Sequence, residues 1–255
     1  MVAEPRPPAS SGLAAVDDTL LRVDGLTVRF GGVRAVDDLH LRVRRGQLVG
    51  LIGPNGAGKT TTIDALTGFV PASGRVEFDG HELDGEPPHR RAALGLVRTW
   101  QSLELFDDLS VVENVEVAVK PAAGEHATEV AGVALERLGL GSVVSRLPTE
   151  LSYGQRKLVA VARALAARPA LVLLDEPAAG LDADESRAFG ALLRSLVDDD
   201  GLALVLVDHD MALVLGVCDR VTVLEFGHVL AEGPAAHIRT DERVIAAYLG
   251  ERHRR

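Results

Sequence analysis

Three observations predict an α/β fold with a mainly parallel sheet. Short apolar runs at Leu48–Ile52, Leu171–Leu174 and Leu202–Val207 each stop abruptly at polar or glycine-rich residues, as buried parallel strands do. Helix-period stretches separate these runs, so strand and helix alternate along most of the chain. The first of the runs leads through a glycine-rich turn directly into a helical pattern at Thr60–Leu66, a strand–turn–helix unit.

Before that unit the pattern is different. Leu21–Phe30 alternates apolar and polar residues and meets Gly31-Gly32, a hairpin signal. A second strand near Leu39–Val43 and a third at Gly74–Phe78, closed by Asp79-Gly80, complete an N-terminal antiparallel β subdomain. Leu96–Trp100 is strand-like. Ser110 and Glu113 have capping-box spacing and open a helix to about Ala118; a second helix runs from Thr128 to Leu138 and ends at Gly139. With the helix that follows Gln155, these form a small helical subdomain over about residues 103–165. Beyond the strand at Ala170–Leu174 come a helix near Asp184–Val197, the strand Leu202–Val207, a short helix Met211–Val217 and the strand Val221–Leu224. A last short strand follows Phe226-Gly227-His228, and helical residues 234–249 close the pattern. No internal repeat is present, and a single domain over 19–251 is expected, between a flexible tail at 1–18 and a basic tail at 252–255.

A chain of 255 residues has ample core for one large domain. Its longest apolar stretch, Leu202–Leu215, carries Asp208, His209 and Asp210 in the middle, so no run approaches the roughly 18 to 20 apolar residues a membrane span needs. A membrane role must therefore come through partners. The net charge of −10 argues against nucleic acid and anionic lipid as partners. Cys218 is the single cysteine, which excludes an intrachain disulfide and suits a reducing cytoplasm; the first 18 residues lack the basic and apolar regions of a secretory signal.

The chemistry is concentrated at the strand ends. Residues 53–60 read Gly-Pro-Asn-Gly-Ala-Gly-Lys-Thr, a complete phosphate-binding loop. Gly53, Gly56 and Gly58 let the backbone curl so that successive N–H groups face phosphate oxygens, and the helix N-terminus adds partial positive charge. Lys59 can reach β- and γ-phosphates, and the Thr60 hydroxyl can ligate Mg²⁺. Asp175 and Glu176 stand at the end of a buried strand, where such sheets present ligands. Asp175 is suited to hold Mg²⁺ through water, and Glu176 to polarise an attacking water. Leu151-Ser152-Tyr153-Gly154-Gln155 opens a helix and offers a second anion-binding end. Gln101 and His209 each follow a strand; taken singly, either would be an ordinary surface residue.

Taken together and in order, these elements resemble the ATP-binding cassette family over about residues 19–251. Gly53, Pro54, Asn55, Gly56, Ala57, Gly58, Lys59, Thr60 and Thr61 match its Walker A loop, and Gln101 its Q-loop. Leu151–Gln155 matches its signature, with Ser152, Gly154 and Gln155 as nucleotide contacts, and Leu171–Glu176 its Walker B strand. Ala179–Asp182 matches the D-loop and His209 the switch histidine, while Phe30 occupies the place of the adenine-stacking aromatic. The resemblance implies a P-loop ATPase that takes ATP and Mg²⁺ between two cassettes paired head to tail. Walker A of one chain and the signature of the other would hold each nucleotide. It also implies Glu176 as general base, His209 as a γ-phosphate contact, Gln101 as a sensor of Mg²⁺ and water, and Asp182 at the joint.

Finer likeness is to the ATPase subunit of branched-chain amino-acid importers: Arg29–Val36, Arg98–Gln101 with Leu105-Phe106, Val111–Val115, Tyr153 in the signature and Val244–Glu251. It implies a peripheral subunit on the cytoplasmic face of the membrane, bound to permease subunits and served indirectly by a substrate-binding protein. Leu105, Phe106 and Val111–Val115 are then the candidate permease contacts, although some of them must be core. Cassettes serving urea, amide or lipopolysaccharide transport use the same engine and stay open as alternatives. A non-transport cassette ranks lower, because the chain has one cassette, a short insert and an acidic balance.

Overall fold

The computed structural model describes residues 18–120 and 122–252, with the backbone alone for 249–252. Of the tails expected at 1–18 and 252–255, residues 1–17 and 253–255 fall outside these residues. Two sheets form the frame. Strands β1 (Thr19–Phe30), β2 (Val33–Arg44), β4 (Ser73–Phe78) and β5 (His81–Glu82) make a four-stranded sheet in the order β2-β1-β4-β5, with antiparallel pairing throughout. Its hairpin turns at Gly31, as the sequence predicts, but β2 begins at Val33 rather than Leu39 because it pairs along nearly the full length of β1.

The second sheet has six strands, adding β3 (Leu48–Ile52), β6 (Leu96–Arg98), β7 (Leu171–Asp175), β8 (Ala203–Val207), β9 (Arg220–Glu225) and β10 (His228–Pro234). Their order is β10-β9-β3-β8-β7-β6, parallel except for the edge pair β9–β10. Every residue of β3, β7 and β8 is buried, which is why these runs are apolar without alternation. Successive side chains still point to opposite faces. Val49, Leu51, Leu171, Leu173, Val205 and Val207 join a core shared with β1, β2 and helix α1 (Lys59–Leu66). Leu48, Ile52, Val172, Leu174, Leu204 and Leu206 join the other core, beneath a layer of helices.

On that second face lie α3 (Val111–Glu116), α4 (Ala127–Arg137) and α5 (Tyr153–Ala166), packed on one another, and α6 (Ala183–Asp198) against α7 (Met211–Val217). Helices α3, α5 and α6 each begin at a reciprocal capping box, formed by Ser110 with Glu113, Ser152 with Gln155 and Asp182 with Glu185. The terminal helix expected over 234–249 is two helices, α8 (Ala235–Ile238) and α9 (Glu242–Arg252). One short helix escaped the sequence reading: α2 (Pro88–Ala93), which starts with proline in its first turn. It carries Arg91, whose buried guanidinium donates to the carbonyls of Ala65 (2.9 Å) and Leu66 (2.8 Å), so a residue from outside α1 closes its C-terminal end.

Candidate functional site

The register of the parallel sheet sets the height of the site. Asp175 pairs with Val207, and Val207 with Leu51, so β7, β8 and β3 end level with one another. The segments that follow them emerge side by side, neighbouring strands being about 4.8 Å apart.

After β3 comes the glycine loop. Gly53 has φ 155° and Gly58 φ 104°; a Cβ on Gly53 would lie 2.2 Å from the Leu224 carbonyl oxygen, and one on Gly58 2.4 Å from that of Ala35. Only glycine fits at either position. Asn55 and Gly56 are exposed at the tip, while Ala57 is buried and its carbonyl accepts from the Gly227 amide at 3.0 Å. Lys59 is buried at 6% exposure, and its ammonium donates to the carbonyls of Gly53 (2.8 Å) and Pro54 (3.0 Å) within the loop. That places a cation inside a cradle of backbone, the arrangement a phosphate chain fits. Thr61 is half-buried one position beyond Thr60.

At the end of β7 the Asp175 carboxylate divides its oxygens between two partners. Oδ1 accepts from the Thr60 hydroxyl at 3.5 Å, and Oδ2 from the Arg98 guanidinium at 3.3 Å. Burial pushes the Asp175 carboxyl above its ordinary range, and Arg98 pulls it back. A hydroxyl oxygen facing a carboxylate oxygen suits Mg²⁺, which binds few protein ligands and keeps its waters, so the residues fit the ion. Among the described residues no cluster of three or more His, Cys, Asp or Glu offers a competing metal cage.

Glu176, the next residue, has φ 47°, a left-handed backbone unusual for a side chain of this kind. The conformation is held from both sides: its amide donates to the Val207 carbonyl at 2.7 Å, and its carbonyl accepts from the Lys157 ammonium at 3.2 Å. Its carboxylate accepts from the Gln101 amide at 2.8 Å and lies 3.9 Å from His209 Nδ1. Asp208, buried at 1% exposure, anchors the His209 loop by accepting from the Asp210 amide (3.0 Å) and the Ala178 amide (3.2 Å). Gln101, Glu176 and His209 therefore meet at one place beside the Asp175–Thr60 pair.

The signature residues are engaged locally. Ser152 Oγ accepts from the Gln155 amide at 3.2 Å, and Gln155 Oε1 accepts from the Ser152 amide at 3.0 Å. Ser152 and Tyr153 are exposed, with Gly154 half-buried behind them, so the helix start faces outward. Asp182 caps α6, accepting from the amides of Asp184 (2.9 Å) and Glu185 (2.8 Å). Phe30 is 52% exposed, a surface ring and not a core one.

Of the candidate docking residues, Val111 and Val115 are fully buried and are among those that must be core. Asn114 is buried too. Its side chain accepts from the Phe106 amide (2.8 Å) and donates to the carbonyls of Phe106, Leu109 and Ser110 (3.0 Å each). Leu105 packs partly on the core, leaving Phe106 outward at 52% exposure. Arg98, Lys157 and Asp208 were not singled out as site residues from the sequence. The signal was a charge set within or beside an apolar strand or on the buried face of a helix, where it must find a partner.

Known proteins resemble this chain along most of its length. A profile described as ABC transporter matches residues 36–179, and one described as branched-chain amino acid ATP-binding cassette transporter matches residues 228–254. The high-affinity branched-chain amino acid transport ATP-binding protein BraF of Pseudomonas aeruginosa is 40% identical over 250 residues, covering 91% of this chain and 98% of the relative. The lipopolysaccharide export system ATP-binding protein LptB of Escherichia coli is 35% identical over 235 residues, covering 91% and 97%. Among solved structures, a nucleotide-free ATP-binding cassette from an ABC transporter superposes with a TM-score of 0.83 at 29% identity, covering 90% of this chain and 98% of that one. The sheet order, the glycine loop facing an acidic strand end and these matches lead to one conclusion: the chain belongs to the ABC transporter family, as one of its ATP-binding cassettes.

Proposed function

We propose that this chain binds Mg²⁺-ATP and hydrolyses it to power uptake of branched-chain or related amino acids through separate permease subunits at the cytoplasmic face of the membrane. The observation that carries the reading is the meeting of Gln101 and His209 at the Glu176 carboxylate, beside the Thr60–Asp175 pair at the glycine loop. The match of residues 228–254 to the branched-chain profile supports that cargo class over lipopolysaccharide. No described helix is long and apolar enough to cross a membrane, so translocation falls to partner subunits.

In this reading the loop amides and Lys59 hold the β- and γ-phosphates, with Phe30 stacking the base. Thr60 and Asp175 would hold Mg²⁺, which would supply charge neutralisation to the phosphates. Glu176 takes the proton of an attacking water that Gln101 orients, while His209 contacts the γ-phosphate from the other side. Ser152, Gly154, Gln155 and Asp182 serve the nucleotide held by a second cassette. ATP joins the two, and its hydrolysis releases them. A dimeric cassette bound to ADP and Pi, with a TM-score of 0.74 and 26% identity, is a precedent for such pairing.

Glu176→Gln tests the chemistry. ATP turnover should fall by on the order of a hundredfold or more, while nucleotide binding persists and an ATP-bound dimer accumulates in size-exclusion chromatography. Unchanged turnover would remove Glu176 from the role of base.

A further inference from the structure

Arg98 is a charged side chain with several partners beside the site, and the mechanism above leaves it unused. It stands at the end of β6, with its side chain only 6% exposed. One arm of the guanidinium pairs with Asp64 of α1, the helix that the glycine loop opens. The other donates to Asp175 Oδ2 at 3.3 Å. The flat face lies over the Trp100 ring, 4.2 Å from its centroid, and Trp100 packs edge-on against Phe69 at 5.0 Å. One planar cation thus joins the loop helix, the acidic strand end and an aromatic pair on the outer surface, where Trp100 is 43% exposed.

The division of the Asp175 carboxylate gives this a consequence. Arg98 occupies Oδ2, so Oδ1 is the oxygen turned to the Thr60 hydroxyl. We infer that Arg98 is a positioning residue: it clamps Asp175 so that Oδ1 and Thr60 Oγ1 jointly face the metal, and it couples that carboxylate to Trp100. The inference rests on the Mg²⁺-ATP reading above. A fork is needed because two carboxylates on different elements and one ring plane must be engaged together.

Arg98 affects the ion in two opposite ways, through its charge, which repels, and through its hold on Asp175, which orients. Arg98→Lys keeps the charge and loses the fork, so it isolates the second effect. The chain has one tryptophan, Trp100, so intrinsic fluorescence reads this cluster directly. The experiment titrates Mg²⁺ into full-length protein with a non-hydrolysable ATP analogue, following Trp100 emission, with analogue binding measured separately in EDTA and thermal melting as the fold control. In the unsubstituted protein Mg²⁺ should change Trp100 emission beyond the change that analogue alone produces. In Arg98→Lys the Mg²⁺ needed for the half-maximal change should rise roughly tenfold to a hundredfold, as when a group supporting a metal ligand is lost. Binding in EDTA should stay near its original value.

An unaltered Mg²⁺ requirement in a folded Arg98→Lys overturns the clamp. Should that variant fail to fold, the unsubstituted protein decides: Trp100 emission indifferent to Mg²⁺ while the analogue stays bound overturns the coupling. Failure of the unsubstituted protein to bind the analogue at all would count against the ATPase reading instead, so the two failures are distinguishable.

Discussion

Lys59 shows how a single side chain is prepared for a charged ligand. Its ammonium is held by the Gly53 and Pro54 carbonyls, so it waits inside the loop and not in solvent. Exchanging two neutral acceptors for phosphate oxygens gives the ammonium ionised partners, and hydrogen bonds to charged groups are worth about 1.5–3 kcal/mol each. Lys59→Ala should therefore weaken nucleotide binding by roughly a hundredfold or more, measured by equilibrium titration with a fluorescent nucleotide. Near-normal affinity would contradict the assignment of the loop. Glu176 is prepared differently, through a left-handed backbone that neighbouring hydrogen bonds hold in place. Such conformations persist where surrounding structure over-determines them, and they cluster at functional sites. The identity of Glu176 as a strand-end carboxylate was legible in the sequence. Its strained φ was not, because that depends on Val207 and Lys157 arriving from other elements.

Among the elements, α3 shows how a short helix can be locally encoded yet placed by long-range contacts. Its Ser110–Glu113 capping box was readable from spacing alone and is present. Six residues are too few to stand unaided, and Val111 and Val115 hold the helix by burial against α4 and α5. Asn114, on the same helix, satisfies one amide and three carbonyls of the turn from Phe106 to Ser110, which keeps Phe106 outward. Asn114→Ala would strip these buried groups of their partner at a cost of about 2 kcal/mol. The melting temperature should fall by roughly 4–8 °C, with ATP turnover by the isolated subunit less affected than turnover coupled to the permease. A melting curve identical to the original would show that the turn does not depend on Asn114. Sequence periodicity could not sort the apolar residues of 105–115 into core and surface, because a helix this short carries barely one repeat.

For the molecule as a whole, the proposed function requires two half-sites on different parts of the surface. In that proposal the glycine loop and acidic strand ends form one half, and the start of α5, where Ser152 is exposed, forms the other. If two cassettes complete each other's sites, specific ATPase activity of the isolated chain should fall on dilution below its dimerisation range. Addition of a Glu176→Gln partner, itself inactive but able to bind ATP, should restore part of it. Full activity in a monomer, established by light scattering at the assay concentration, would sink the paired-site reading.

Residues close together along the chain specify the local machinery: the glycine loop, the helix caps, the apolar strands and the polar residues at their ends. These follow from backbone geometry and short-range hydrogen bonding, which depend on residues only a few positions apart. Which of these parts meet is set by packing. The strand order β3-β8-β7-β6 sets Gly53, His209, Glu176 and Gln101 beside one another, although no pattern in the chain fixes that order. Thr60 and Asp175 are 115 positions apart, and Arg98 and Asp175 are 77 apart. A buried charge announces that it needs a partner, but only the packed chain, in which desolvation makes pairing obligatory, names which partner it takes.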